Sequence, residues 1–166
     1  MIILGIDPGI ATVGYGVLDY NGRSFKTLAY GIISTKSGVC VEERLRQVYV
    51  GICELIKKYS PSEMAIEELF FNTNQKTAIT VAEARGVILL AARQSGVRIA
   101  EYTPLQVKQS VVGYGRAEKK QVIALVTMML NLEKPPKPDD AADALAIAVC
   151  HAHCANSKMQ DYYNLR

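Results

Sequence analysis

The spacing of the apolar residues changes near residue 40, and that change restricts the fold more than any other feature. Before it, apolar residues form short runs and alternations typical of strands; from Leu45 to Tyr59 they recur at intervals of three and four, typical of a helix. The first region predicts strands over Ile2 to Asp7, Val13 to Tyr20 and Ser24 to Ser34, with Asn21-Gly22 as a hairpin turn. The chain therefore opens with a three-stranded antiparallel meander.

The rest of the chain interleaves helices with two short strands. Helices are predicted at about 42–59, 77–94, 117–130 and 140–154, and short strands at 64–66 and 97–101. Thr103-Pro104-Leu105-Gln106 is a capping box with proline at the first helical position, so a further short helix begins there. The order β-β-β-α-β-α-β-α-α-α predicts an α/β fold, a five-stranded mixed sheet flanked by helices on both faces.

Length and composition indicate one globular domain. The chain has 166 residues, 49% of them apolar, which is enough to bury a sizeable core. We expect a single domain over residues 1–156 and a loosely ordered polar tail over 157–166. The chain contains no apolar run near the roughly 20 residues that a membrane span needs, and no signal sequence, so we expect a cytoplasmic protein.

The four cysteines are expected to be reduced thiols, because a core of this size needs no disulfides. The segment CHAHC at 150–154 resembles part of a zinc site, but no second pair of cysteines or histidines completes four ligands. Cys150 is more simply read as part of the apolar face of the last helix.

Acidic residues stand at positions that the predicted topology brings together. Asp7 ends the first strand, and Glu67 or Glu68 ends the fourth; adjacent parallel strands would place these ends side by side. Asp140 and Asp143, at i and i+3, share one face of the last helix. Like charges this close are costly unless cations neutralise them, and oxygen ligands favour Mg²⁺ or Mn²⁺. Two such ions suit the hydrolysis of a phosphodiester.

Each acid also has an ordinary interpretation. Asp7-Pro8-Gly9 is typical of a turn, or of the phosphate loop of ATP-binding proteins of the actin and sugar-kinase type. Glu67 is equally interpreted as a solvated strand end, and the aspartates from Asp139 as the acidic start of a helix. Only the combination favours catalysis. Glycines 9, 14 and 16 are expected to leave backbone accessible near Asp7.

Four segments together resemble the RuvC family of Holliday junction resolvases. They are IDPGIATVGYGV, AIEELFFNTN, TPLQVKQSVVGYGRAEKKQV and DAADALAIA, in the family's order and spacing over about residues 2–154. The resemblance implies a ribonuclease H-like fold, a homodimer and Mg²⁺-dependent endonucleolytic cleavage of four-way DNA junctions.

The resemblance also assigns the acids. It carries the family's four catalytic, metal-binding acids onto Asp7, Glu67, Asp140 and Asp143, and excludes Glu68. Asp139 lies outside the motif and is interpreted as the helix cap. Asp7 would bridge two Mg²⁺ ions per site, for which Mn²⁺ would substitute, and the other three acids would complete their coordination.

Basic and aromatic positions carried over from the family predict the contacts with DNA. Lys108 and Lys119 are assigned to the scissile phosphate or the transition-state charge, and Lys119 stands in the first turn of a helix, where the dipole disfavours a cation. Phe70 is expected to stack on or wedge between unpaired bases. The candidates for contacts with the DNA backbone are Lys76, Arg85, Arg116 and Lys120.

The family further implies cooperation with the branch-migration proteins RuvA and RuvB in a bacterial cytoplasm, with association to the nucleoid. The helix from Thr77, rich in small residues, is the candidate dimer interface. The alternatives are a ribonuclease H-like nuclease acting on RNA, and a junction-binding protein without activity. An actin-like ATP-binding protein is a third, but it needs two such lobes.

Overall fold

The computed structural model describes residues 1–69 and 75–155, and only the backbone of 75–77. Its sheet has five strands in the spatial order β3-β2-β1-β4-β5. β1 pairs antiparallel with β2, which pairs antiparallel with β3, whereas β1 with β4 and β4 with β5 are parallel. The strands are β1 Ile2–Asp7, β2 Thr12–Tyr20, β3 Phe25–Ser34, β4 Glu63–Glu67 and β5 Arg98–Tyr102. The predicted five-stranded mixed sheet is confirmed.

In the described part of the chain, five helices cover the two faces of this sheet. They are α1 Val41–Tyr59, α2 Gln75–Gln94, α3 Pro104–Val112, α4 Lys119–Met129 and α5 Asp139–Ala155. The core beneath α1 and α2 is separate from the core beneath the other three helices, so the predicted helices on both faces are confirmed. The α4 helix starts at Lys119, later than predicted, because Glu118 and Gln121 form a capping box before it.

Side chains of β1 alternate between the two cores, as the period of a strand requires. Ile3 packs beneath α5, whereas Leu4 and Ile6 pack on the opposite face. The strand is thus covered on both sides, which agrees with its nearly continuous apolar sequence. This central strand carries Asp7 at its carboxyl end.

Side-chain hydrogen bonds form the β2–β3 hairpin turn and the start of α3 where the sequence predicts them. The Asn21 side-chain oxygen accepts hydrogen bonds from the backbone N–H groups of Arg23 and Ser24, which closes the hairpin between β2 and β3. Thr103 and Gln106 exchange backbone and side-chain hydrogen bonds at the start of α3.

The close approach of α5 to the sheet depends on glycines. A Cβ at Gly5 would collide with the carbonyl oxygen of Ala144, and one at Gly14 with the carbonyl oxygen of Asp140. The expectation that glycines 14 and 16 leave backbone accessible is wrong, because both are buried beneath α5. Their function is to bring the first turn of this helix against β1 and β2.

A polar network connects α5 with strands β4 and β5. His151 is fully buried; its Nε2 lies 2.7 Å from a carboxylate oxygen of Glu63 and its Nδ1 lies 2.8 Å from the Tyr102 hydroxyl. The second Glu63 oxygen accepts a hydrogen bond from Arg98 at 2.6 Å. Cys150 is buried beside His151 on the same helix, as predicted from the apolar pattern.

Across the two described ranges, no helix is both long enough and apolar enough to span a membrane.

Candidate active site

The topology brings four predicted acids to one edge of the sheet. Asp7 and Glu67 end β1 and β4, which are adjacent and parallel, so their side chains leave the same edge. Asp7 also pairs in register with Gly14, which lies beneath the backbone of Asp140 in the first turn of α5. Asp143 follows one turn later.

Burial and mutual repulsion dominate the electrostatics of this cluster. Burial raises the pKa of Asp7 to about 8, and the charges of Asp143, Glu67 and Asp140 add to the increase. Burial, with the charge of Asp143, raises the pKa of Glu67 to about 7. The pKa of Asp143 is also raised, chiefly by burial and against the influence of Lys119. The three carboxyl groups therefore interact as one set.

Two lysines oppose this negative charge. Lys119 Nζ lies 2.8 Å from a carboxylate oxygen of Asp143. Burial lowers the pKa of Lys119, but its hydrogen bond to Asp143 and the nearby negative charges outweigh burial and raise it. Lys108 and Lys119 both act to lower the pKa of Glu67. Of the two lysines predicted to face the scissile phosphate, Lys119 contacts the carboxylate cluster and Lys108 lies close enough to influence Glu67.

Asp139 has a contact that the sequence interpretation missed. The helix α5 begins at Asp139 itself, so this residue lies in the first turn and not at the cap position that we predicted. Its carboxylate oxygen lies 3.6 Å from Lys119 Nζ. Asp139 and Asp143 are four residues apart and share a helix face, so the spacing to Asp143 was the available signal.

The donor atoms suit a hard divalent cation, although the present arrangement is not a closed ligand set. The four carboxyl groups offer oxygen alone, which favours Mg²⁺ or Mn²⁺ over softer metals. Within residues 1–69 and 75–155, no three carboxylate, cysteine or histidine side chains converge as ligands of one ion. Lys119 contacts one oxygen of Asp143. The oxygen-only donor atoms of these residues fit a hard divalent cation.

Neighbouring glutamates at the end of β4 are distinguished by their surroundings. Side chains of successive extended residues point to opposite sides, so only one of the two can face α5. Glu67 interacts electrostatically with Asp7 and Asp143. The backbone N–H of Glu68 donates to the carbonyl of Tyr102 at 2.8 Å, which continues the pairing of β4 with β5.

The predicted DNA contacts are placed unequally. Arg116 and Lys120 are exposed, near Lys119 at the start of α4. Arg85 is half-buried; it forms an ion pair with Glu101 and its Nε lies 3.5 Å from the Glu67 carbonyl. Its observed contacts are thus within the protein. Phe70 and the side chain of Lys76 lie outside the described residues, and their roles stay predictions.

A family profile, two related sequences and a solved structure all match this chain to the same family. The profile of "Crossover junction endodeoxyribonuclease RuvC" matches residues 3–151. A protein of that name from Alkaliphilus metalliredigens is 61% identical over 92% of this chain and 93% of its own length. Another from Caldanaerobacter subterraneus is 58% identical over 94% of each. The Thermus thermophilus RuvC, solved in complex with a Holliday junction substrate, superposes with a TM-score of 0.89 at 36% identity, covering 93% of this chain and 94% of that one.

Proposed function

This chain belongs to the RuvC family of crossover junction endodeoxyribonucleases, and on that premise we propose that it resolves four-way DNA junctions by paired symmetric nicks. The reaction is hydrolysis of one phosphodiester bond in each of two strands of like polarity, in recombination and DNA repair. The Thermus thermophilus relative, solved with such a junction, supports the substrate class.

The observation that carries the chemistry is the cluster at the sheet edge. Asp7, Glu67 and Asp143 are half-buried carboxyl groups whose pKa values are raised chiefly by burial; neighbouring acids add to each increase, and lysines oppose it. A purely structural cluster of this kind is costly, because burying like charges destabilises the fold. Divalent cations would neutralise the carboxylates, and a phosphate group would neutralise the lysines.

We assign roles to the residues accordingly. The pKa of Asp7 responds to all three other acids, and Asp7, Glu67, Asp140 and Asp143 would together hold divalent cations such as Mg²⁺. When bound, such ions supply activation of a water molecule and neutralisation of charge on the phosphate. Lys108 and Lys119 bind the scissile phosphate and stabilise the charge that develops on it. Arg116 and Lys120 contact the neighbouring DNA backbone.

We propose that a second copy of this chain packs on the exposed face of α2. Ile79 and Leu90 are 61% and 51% exposed, and Ala82 and Gly86, also exposed, lie between them at helical spacing. Two apolar residues separated by small ones allow a second helix to approach closely. A homodimer would place two active sites on the symmetry-related strands of a junction. Light scattering that gives the mass of two chains is the expected result, and a single-chain mass would contradict it.

Cooperation with RuvA and RuvB, and location at the bacterial nucleoid, rest on family membership. Co-sedimentation of the three proteins on a junction is the measurement that checks the first, and loss of co-sedimentation without the junction is expected.

The cleavage experiment uses a synthetic mobile four-way junction with Mg²⁺. We expect paired symmetric nicks, and Asp7→Asn should lower their rate by roughly a thousandfold, about 4 kcal/mol in the barrier, while junction binding persists. Omission of the divalent cation should abolish cleavage of the same junction by the unmodified protein.

Two matched variants and two competing substrates control this test. Glu67→Gln should lose cleavage, whereas Glu68→Gln, at the adjacent position, should stay within about twofold of the unmodified rate. Linear duplex DNA and an RNA–DNA hybrid should be cut far more slowly than the junction. Equal cutting of duplex or hybrid, or cleavage that survives Asp7→Asn, would contradict the proposed function.

A further inference from the structure

We propose that Asp139 is a positioning residue that keeps Lys119 at the active site when divalent cations bind Asp143. The inference rests on the proposed function, because it concerns how the same site handles its catalytic lysine. Asp139 lies outside the family's acidic motif, and its contact with Lys119 is a property of this chain's own structure.

The geometry places one ammonium group between two carboxylates of a single helix. Lys119 Nζ lies 2.8 Å from Asp143 and 3.6 Å from Asp139. These aspartates are four residues apart, so their side chains lie one above the other on the face of α5 that meets the start of α4. The shorter contact marks Asp143 as the principal partner in the absence of metal.

A divalent cation would compete with Lys119 for the carboxylate of Asp143. The Asp143 carboxylate that attracts Lys119 through one oxygen would also coordinate an ion, and a divalent cation repels an ammonium group at the same carboxylate. Lys119 would then move away from Asp143 as the cation binds. An exposed lysine without a remaining partner would sample many rotamers, and ordering it again would cost conformational entropy.

Asp139 supplies that remaining partner. It is 61% exposed and lies at the first position of α5, one residue before the predicted ligand Asp140. Contact with Asp139 would hold the lysine at the rim of the site, where a phosphate group enters, without occupying a ligand of the metal. Lys119 also begins α4, whose positive dipole end disfavours a cation, so a nearby carboxylate is needed there.

The kinetic test is a double-mutant cycle in junction cleavage at saturating Mg²⁺. Asp139→Asn preserves the size of the side chain and removes its charge. We expect it to lower kcat about threefold with an unchanged KM, as the loss of one exposed ion pair implies. In the Lys119→Ala background the same substitution should change kcat by less than about 1.5-fold, because the partner is absent. Asp139→Glu, which keeps the charge, should restore most of the rate.

Asp19→Asn is the matched control. Asp19 is also an exposed aspartate in an ion pair, with the amino terminus at 3.2 Å, but it lies at the opposite end of the sheet from Asp7. It should leave kcat unchanged. Thermal unfolding of each variant separates a loss of rate from a loss of folded protein.

A second readout needs neither DNA nor cleavage. In ¹H–¹⁵N spectra of the lysine ammonium groups, with Lys119 assigned by Lys119→Arg, the metal-free protein should give an ordered Lys119 signal with or without Asp139→Asn, because Asp143 holds it. With Mg²⁺ added, the signal should stay ordered in the unmodified protein and become averaged in Asp139→Asn.

The outcomes separate the inference from the proposed function. Equal slowing by Asp139→Asn in both backgrounds, or an ordered Lys119 signal in the Mg²⁺-bound variant, would overturn the role of Asp139. Failure of the unmodified protein to cut junctions would overturn the proposed function, while the spectra would still decide whether Asp139 holds Lys119.

Discussion

Strand β4 and helix α5 each contribute to two polar clusters, and the two clusters differ in how their charges are satisfied. At one end of β4, Glu63 meets His151, Tyr102 and Arg98; at the other end, Glu67 meets the acids of the active site. The first cluster is complete within the protein. The second combines mutually repelling carboxyl groups with lysines that only partly compensate for them.

The buried network shows how a core accommodates polar groups at little cost. Burial lowers the pKa of His151, although the hydrogen bond to Glu63 acts in the opposite direction. A neutral ring that donates from Nε2 to Glu63 and accepts at Nδ1 from Tyr102 satisfies every polar atom of the three side chains. Because nothing in this network is left to neutralise, it stabilises the fold without requiring a ligand.

The functional cluster differs from the structural one chiefly in whether its negative charges are neutralised by neighbouring groups. Glu63 is buried, and Asp7, Glu67 and Asp143 are half-buried. Within residues 1–69 and 75–155, the pKa values of several acids are raised together only where β1 and β4 end, to about 8 for Asp7 and about 7 for Glu67. Such a set is stable with bound cations and strained without them.

The largest loss of stability is expected when Glu63 is removed from the buried network. Glu63→Ala leaves His151 and Arg98 without their acceptor and should destabilise the protein by about 3 kcal/mol. Urea unfolding of the metal-free protein measures the change. Cleavage per folded molecule should stay near the unmodified value, because this cluster is structural.

Asp19→Ala removes an exposed ion pair and serves as the matched control, with an expected change below about 0.5 kcal/mol. A cleavage rate that fell far more than the folded fraction in Glu63→Ala would show that the buried network also takes part in the reaction.

An intermediate effect is the pH dependence of stability without metal. The folded protein raises the pKa of Asp7 from 3.8 to about 8 and of Glu67 from 4.5 to about 7, so the folded state binds more protons than the unfolded state between these values. Their contribution is therefore complete at low pH and lost as the pH rises toward 8. His151 has the opposite sign, because its lowered pKa costs stability below pH 6.5.

Between pH 6.5 and 9 the carboxyl groups dominate, and the metal-free protein should lose about 2 kcal/mol of stability, measured by urea unfolding. Asp7→Asn should remove most of this loss, and Mg²⁺ at pH 8 should reverse it. Stability that is flat over this range, or that increases with pH, would contradict the electrostatic account of the site.

The smallest expected loss of stability distinguishes the two partners of His151 in the buried network. Tyr102→Phe deletes the hydroxyl that contacts His151 Nδ1 at 2.8 Å and should cost about 1 kcal/mol, less than Glu63→Ala because the histidine keeps its carboxylate partner. Chemical unfolding in parallel with Glu63→Ala checks the order. A larger loss in Tyr102→Phe would show that the hydroxyl, and not the carboxylate, is the principal partner of His151.

Much of the site was predictable because its determinants are local. Three short-range patterns carried these predictions. They are the strand ends at Asp7 and Glu67, the i, i+3 pair Asp140 and Asp143, and the capping box at Thr103. Selection of Glu67 over Glu68 came from the family resemblance, and the alternation of the strand agrees with it. These residues were assigned correctly to their elements because each assignment depends on a few neighbours in the chain.

The interpretations that failed are those that depend on packing. Gly14 and Gly16 were expected to expose backbone and instead admit α5, because only the folded sheet shows which helix approaches them. Asp139 was interpreted as a cap, but the helix starts at this residue and its carboxylate meets Lys119 from a different helix. The burial of His151 with Glu63 joins residues 88 positions apart.

Local patterns in the chain were therefore enough to predict the order of the elements, their approximate ends and the acids that the strands and the last helix present. Hydrophobic period and turn chemistry act over a few residues, so they can be read without the fold. Tertiary structure alone decided which charges lie close enough to shift one another's pKa, which lysine meets which aspartate, and which polar groups are satisfied within the core. Those outcomes depend on distances between segments remote in sequence, and electrostatic interactions depend strongly on those distances.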